Sequence, residues 1–231
     1  MKLLQNLGLV EKTGIYHHPY RIVASRKELL DVENRFIMLG LAGGMPEMVF
    51  EYILRKNGID TAADLTIDQS IDFGSTAAAF SSGKGDYSVE FEPGATALES
   101  EGTGYVVSSL GVDSGYVPYT AFSAKASYLE QNADTVQKFT NALQKGIDYT
   151  LEHSPEEIAK AISPQFKETD LETLTTIISR YHKQDTWKEN LIFEESSFDL
   201  LLDILSGAGE LTAEPPYQDL VHTGFAEKAA K

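Results

Sequence analysis

The sequence predicts an α/β fold, and three observations carry that expectation. From Phe36 onward, short apolar runs of strand length alternate with segments whose apolar residues recur at helical spacing. The joints between them are short, polar and rich in Gly, Asn and Ser, a pattern that implies a mainly parallel sheet with helices on its faces. The length, 231 residues, suits one large α/β domain or two lobes of about 100 residues each.

Before Phe36 the pattern is weak. Leu3, Leu4, Leu7 and Leu9 fit a short helix, and Tyr20 to Ala24 fits a strand. The run Phe36-Ile37-Met38-Leu39 then reads as a strand that enters the glycine-rich turn Gly40-Leu41-Ala42-Gly43-Gly44. Pro46 suits the start of a helix that carries Met48, Ile53 and Leu54 on one face, and Asn57-Gly58 suits its end. The unit repeats in kind. Leu65–Ile71 reads as a strand and Ser75–Ser82 as a short helix; Tyr87–Phe91 as a strand and Pro93–Glu101 as a helix; Tyr105–Leu110 as a further strand. Beyond it, Gly115 to Phe122 reads as an extended crossover, and the remainder is expected to be helical. Asn132 or Asp134 can cap a helix reaching about Tyr149 with Val136, Phe139, Leu143 and Ile147 on one face. Ser154-Pro155-Glu156-Glu157 opens another, and Asp170–His182, Ser196–Leu205 and the tail Phe225–Ala230 complete the set.

Composition removes several function classes. With 42% hydrophobic and 10% aromatic residues the chain is expected to fold. Its formal charge of −16, spread along its length, repels phosphate backbones and anionic lipid, which argues against nucleic-acid or polybasic membrane binding. Cysteine is absent, so thiol nucleophiles, disulfides, Cys-based zinc sites and a lipidated cysteine are excluded. Met1-Lys2-Leu3-Leu4 begins like an export signal, but Gln5 and Asn6 interrupt it and Glu11 and Lys12 follow. As written, the chain is expected to remain cytoplasmic and to insert into no membrane.

Chemistry concentrates at strand ends. The turn from Gly40 to Pro46 presents amides at a helix N-terminus, a seat for a carboxylate, sulfonate or phosphate; its plain alternative is a tight strand-to-helix connection. Asp72-Phe73-Gly74-Ser75 and Glu90-Phe91-Glu92-Pro93 also lie at C-terminal strand ends, where open α/β sheets place their ligands. Glu90 and Glu92 share a strand face without a carboxylate across a cleft, so no acid/base pair is read from them. No serine-nucleophile signature is present. His17 and His18 would face opposite ways on a strand, and His153, His182 and His222 are isolated, so no metal site or cofactor is expected. Trp187 with Tyr181 reads as a helix-packing pair.

Four segments taken in order carry a resemblance: Gly43-Gly44-Met45-Pro46-Glu47-Met48; Gly74-Ser75-Thr76-Ala77-Ala78-Ala79-Phe80 running on through Gly85-Asp86-Tyr87 to Glu92-Pro93; Tyr116-Val117-Pro118-Tyr119; and Asn132 to Phe139 followed by Ser154-Pro155-Glu156-Glu157-Ile158-Ala159. They are similar to the NMT1/THI5-like, nitrate/sulfonate/taurine-type substrate-binding proteins of ABC importers, from about Phe36 to the C-terminus. The resemblance implies a type II periplasmic-binding-protein-like architecture of two α/β lobes with the solute between them, here with the first lobe incomplete. Residues 36–115 would be the second lobe, and 1–35 and 116–231 a remnant of the first with the crossover and C-terminal helices. A truncated gene, a late start or half of a split protein would each account for this. The helices after residue 130 would then lose their sheet, leaving the Val136-Phe139-Leu143-Ile147 stripe open, and the solute would be held poorly.

The same resemblance implies a non-enzymatic solute receptor, extracytoplasmic in the family, with permease and ATPase subunits as partners. Its cleft positions would be Gly43, Gly44, Met45, Asp72, Gly74, Ser75, Glu92 and Tyr116. The glycine amides and the Ser75 hydroxyl could hold polar or anionic atoms, Tyr116 could stack on a flat solute, and Glu92 could accept from an amine or ring nitrogen. Glu92 beside an anion is unfavourable, which tilts the expectation away from nitrate and sulfonate. The alternative implied is a biosynthetic enzyme for the thiamine pyrimidine on the same fold.

Overall fold

The computed structural model describes residues 21–25, 36–40 and 42–231. The expected helix through Leu3 to Leu9 and the His17-His18 pair lie outside the described residues.

Five strands, β1 (Arg21–Ala24), β2 (Phe36–Met38), β3 (Thr66–Asp68), β4 (Tyr87–Glu90) and β5 (Tyr105–Ser109), form one open sheet in the order β3-β2-β4-β1-β5. β2 runs parallel to β3 and β4, whereas β1 is antiparallel to both β4 and β5. The strand read at Tyr20–Ala24 therefore exists, but a lobe that begins at residue 36 leaves out one of its central strands. All four residues of β1 are buried. A strand covered on both faces needs a continuous apolar run, which Ile22-Val23-Ala24 supplies, and so it takes an interior slot. The strand expected over Leu65–Ile71 shortens to three residues because Asp68 turns the chain, its Oδ1 accepting the Ser70 N–H at 2.8 Å.

Side-chain alternation distributes the core. Ile22, Ala24, Ile37, Tyr87 and Val89 face helix α1 (Met45–Lys56) and α4 (Leu110–Ser114), meeting Val49, Phe50, Ile53 and Leu110. Val23 and Met38 face the other way, onto Phe80 of α2 (Thr76–Ser81) and Ala95 and Leu98 of α3 (Gly94–Ser100).

Past the crossover come α5 (Ala126–Gln131), α6 (Ala133–Glu152), α7 (Pro155–Ile162), α8 (Leu171–Lys183), α9 (Glu195–Gly207), α10 (Tyr217–Leu220) and α11 (Gly224–Ala229). The starts of α7 and α8 follow from side-chain chemistry. Ser154 and Glu157 close a reciprocal capping box, and Asp170 accepts the Thr173 N–H at 2.9 Å. α7 and α8 share a small core of Ile158, Ala159, Leu174 and Ile178.

These helices are not all left without a sheet, as the sequence reading expected. Ile204 of α9 is fully buried and joins Phe50 and Ile53 of α1 in the main core. On α6 the one buried residue is the polar Gln144, held by donating Nε2 to the Glu189 carbonyl at 2.9 Å. Of the stripe expected to be open, Val136, Leu143 and Ile147 are half-buried and Phe139 is exposed, meeting the still more exposed Phe122 edge-on at 5.0 Å.

β5 enters the sheet at Gly104, where a Cβ would lie 2.6 Å from Val23 Cγ1 and 3.0 Å from a ring carbon of Phe80. Both neighbours belong to the α2/α3 side of the core and have little room to move. Gly104→Ala is expected to destabilise the protein by about 1–3 kcal/mol through overpacking, read as a lower urea midpoint at unchanged m-value.

Candidate functional site

Because β1 runs against its neighbours, its first residue lies beside the last residues of β4 and β5: Arg21 pairs with Glu90 and with Ser109. The turns after β2, β3 and β4 leave from that same edge, so the edge collects Gly43, Gly44 and Met45, then Asp72, Gly74 and Ser75, then Glu92, with Tyr116 following α4. Gly43, Asp72, Gly74 and Ser75 are exposed, Gly44, Met45 and Tyr116 half-buried, and Glu92 buried.

At the glycine turn Gly43 takes φ of +73°, and its N–H donates to the carboxylate of Glu47 in the first turn of α1. One amide of the expected anion seat is thus filled by the chain's own acid. After β3 a single 3-10 turn, Phe73–Ser75, closes on the Ser75 N–H to the Asp72 carbonyl at 2.7 Å.

The centre of the edge is a buried polar network that sequence reasoning met only at Glu92. Glu92 Oε2 accepts from the Thr96 N–H at 2.9 Å and the Thr96 hydroxyl at 2.7 Å, and Oε1 accepts from Arg180 Nη1 at 3.1 Å. Arg180, from α8, also donates to Thr96 Oγ1 at 2.7 Å and to the Glu99 carboxylate. Arg21 Nε lies 3.9 Å from Glu92 Oε1, and its guanidinium sits 5.6 Å from the centre of the Tyr181 ring. Ser109 donates to Gln184 Oε1 at 2.9 Å, a second link from the edge to α8. The signal for Arg21 and Arg180 was a charged residue within an apolar run, Arg21-Ile22-Val23-Ala24 and Ile177-Ile178-Ser179-Arg180. What each would meet depends on strand order and on where α8 docks.

Burial acts on these groups in opposite senses. Desolvation lowers Arg21, while the nearby Glu92 supports its charge. Burial pushes the Tyr181 phenol up to about 12. Glu90 is 3% exposed and has hydroxyl donors in Ser88, at 2.7 Å, and Thr76; burial raises it above the ordinary glutamate value of 4.5 and the two hydroxyls partly offset that. Among the described residues no cluster of His, Asp and Glu could hold a metal ion, and no helix is long and apolar enough to cross a membrane.

A protein-family model described as NMT1/THI5 like matches residues 2–158, more than half of the chain. The chain belongs to the NMT1/THI5-like family. A relative, the candidate binding protein YtlA of Bacillus subtilis strain 168, is 44% identical over 186 residues, which are 80% of this chain and 56% of that protein. This NMT1/THI5-like chain thus spans little more than half the length of that relative. Two solved structures share its fold. One is the ligand-binding component of an ABC-type import system from Staphylococcus aureus, with a TM-score of 0.67 at 14% identity, over 93% of this chain and 72% of that one. The other is the alkanesulfonate-binding protein SsuA from Xanthomonas axonopodis pv. citri, with a TM-score of 0.60 at 14% identity, over 99% of this chain and 76% of that one. The NMT1/THI5-like chain therefore has a periplasmic-binding-protein-like α/β fold.

Two measurements test the network. Arg180→Met strands the buried Glu92 carboxylate and is expected to cost about 2–3 kcal/mol in urea unfolding, below the range for fully buried pairs because the Arg180 side chain is 19% exposed. Adding Glu92→Gln should restore most of that loss; additive losses would show that the two residues are uncoupled. For Glu90, a raised folded-state value means that protonation favours the fold. Its contribution is complete below pH 4.5 and is lost as pH rises through the raised value. Glu90→Gln should therefore gain stability over the parent as pH rises from 4.5 to 7, and a constant difference across that range would contradict the assignment.

Proposed function

We propose that this chain is the solute-binding part of an ABC import system and that it takes a small polar molecule at the C-terminal edge of its sheet. The observation that carries the reading is the convergence on one edge of the turns after β2, β3 and β4, with Asp72, Gly74 and Ser75 open to solvent beside the half-buried Gly44, Met45 and Tyr116. Family membership and the binding-protein names of its relatives support it. In this reading Ser75 and the glycine turn bind polar atoms, Tyr116 covers a flat face, and Glu92 acts chiefly by fixing the start of α3. Permease and ATPase subunits are the partners, the working location is extracytoplasmic, and no reaction is catalysed.

The charge of the edge narrows the solute. An anion at the glycine turn must displace Glu47 from the Gly43 N–H, whereas Glu47 and Asp72 are themselves acceptors. A solute bearing N–H groups meets no such competitor. Because the edge is open, water competes for every hydrogen bond, and weak binding is expected of this chain by itself.

Thermal-shift screening of this chain and of a longer relative against amines, pyrimidines and sulfonates tests the reading. A solute at 100 times its Kd adds about 2.7 kcal/mol. Amines or pyrimidines should stabilise the longer relative strongly and this chain less, with Ser75→Ala reducing both effects. No stabilisation of either protein by any of the three classes, or turnover of a compound by the purified chain, would count against a receptor.

A further inference from the structure

Away from the sheet edge, a cavity of about 120 Å³ lies between the end of α6 and the C-terminal turn of α8, lined by Leu151, Tyr181, His182, Asp185 and Trp187. Three of its five walls are rings. Trp187 meets Tyr181 at 5.7 Å and 82°, and His182 at 5.3 Å and 86°. The volume is near that of an engineered apolar cavity of about 150 Å³ that admits one benzene, so a group of about six heavy atoms fits. On the sequence His182 reads as an isolated surface residue and Trp187 as a packing partner of Tyr181; the structure joins both in one cavity.

The fourth wall carries a carboxylate where the backbone favours glycine. α8 ends in a motif in which the Asp185 N–H bonds the His182 carbonyl and the Thr186 N–H bonds the Tyr181 carbonyl, with Asp185 at φ of +53°. That position is most often filled by Gly, with Asn and Asp the residues that otherwise tolerate it. The Asp185 side chain is a carboxylate, and it stands at the C-terminal end of a 13-residue helix, where the helix dipole also favours a cation. Aromatic faces attract cations as well, and a chain of net charge −16 concentrates them near its surface.

We infer that this cavity is a binding site for a small alkylammonium ion, its charge set against Asp185 and the rings and its alkyl part against Leu151 and Trp187. The inference does not rest on the sheet-edge reading, since the residues proposed there are different.

Trp187 is the only tryptophan in the chain, so intrinsic fluorescence reports on this cavity. The test is a titration of the full chain with propylammonium, compared at equal ionic strength with 1-propanol and propionate, and repeated on Asp185→Asn and Asp185→Gly. A saturable response to propylammonium is expected, with no saturation by the neutral and anionic probes. Asp185→Asn, which tolerates the same backbone and lacks only the charge, should weaken binding at least about tenfold. Asp185→Gly should raise the unfolding temperature and yet lose the response, which separates a binding role from a structural one. The inference is overturned by a parent that shows no saturation, by propanol or propionate saturating as propylammonium does, or by either variant binding as the parent does.

Discussion

The carboxylate of Glu92 is almost wholly removed from water, with a side-chain exposure of 2%, and the groups that compensate it come from three parts of the chain. Thr96 belongs to the first turn of α3, Arg21 opens β1, and Arg180 lies on α8, 88 residues further on. Taking such a group out of water costs several kcal/mol unless hydrogen bonds and opposite charge replace its hydration. The replacement is complete only when β1 occupies its slot between β4 and β5 and when α8 is seated against α3. One buried charge thus ties the sheet, a helix on its face and the C-terminal helical segment to a single arrangement.

The direction of β1 makes this possible. In a fully parallel sheet every strand presents its last residue at the ligand edge. The reversed β1 presents its first residue there and brings a guanidinium to the middle of an edge otherwise made of turns, hydroxyls and acids. The glycine turn is closed in a related way, by Glu47 on the Gly43 amide. The edge therefore arrives with much of its charge already matched internally, and the groups at its flank, Asp72, Gly74 and Ser75, are exposed.

Local signals were legible in the sequence and distant ones were not. Ser154 and Glu157, Asp170, Pro46 and Gly58 mark helix ends through contacts within four residues of themselves, and each marks a helix end in the structure to within a residue or two. The alternation of Ile37 and Leu39 with Met38 gave β2 its two faces. Strand order carries no such local mark. Arg21-Ile22-Val23-Ala24 reads as a strand, but nothing within it says that it will lie beside Glu90 and Ser109, about 70 and 90 residues away. Glu92 was found at the right edge, while its partners Thr96 and Arg180 were not, because their meeting depends on the docking of α8. The short helices α4, α5 and α10 were missed for a related reason: segments of four to six residues are held by their surroundings, with too few turns to show a period.

Tyr181 belongs to both of the places where chemistry gathers. The Arg21 guanidinium lies 5.6 Å from its ring centre, and the same ring walls the cavity of Trp187 and His182. A rigid aromatic ring cannot shift for one neighbour and remain in place for the other. The seat of α8 on the Glu92 network and the shape of the cavity are therefore linked through one side chain. In the inferred complex, an occupant that fixes Tyr181 from the cavity side would restrict the tilt of α8, and with it the position of Arg180 against Glu92 and Thr96. The opposite route holds equally, since a loosened Arg180 frees the helix on which Tyr181 and His182 are carried.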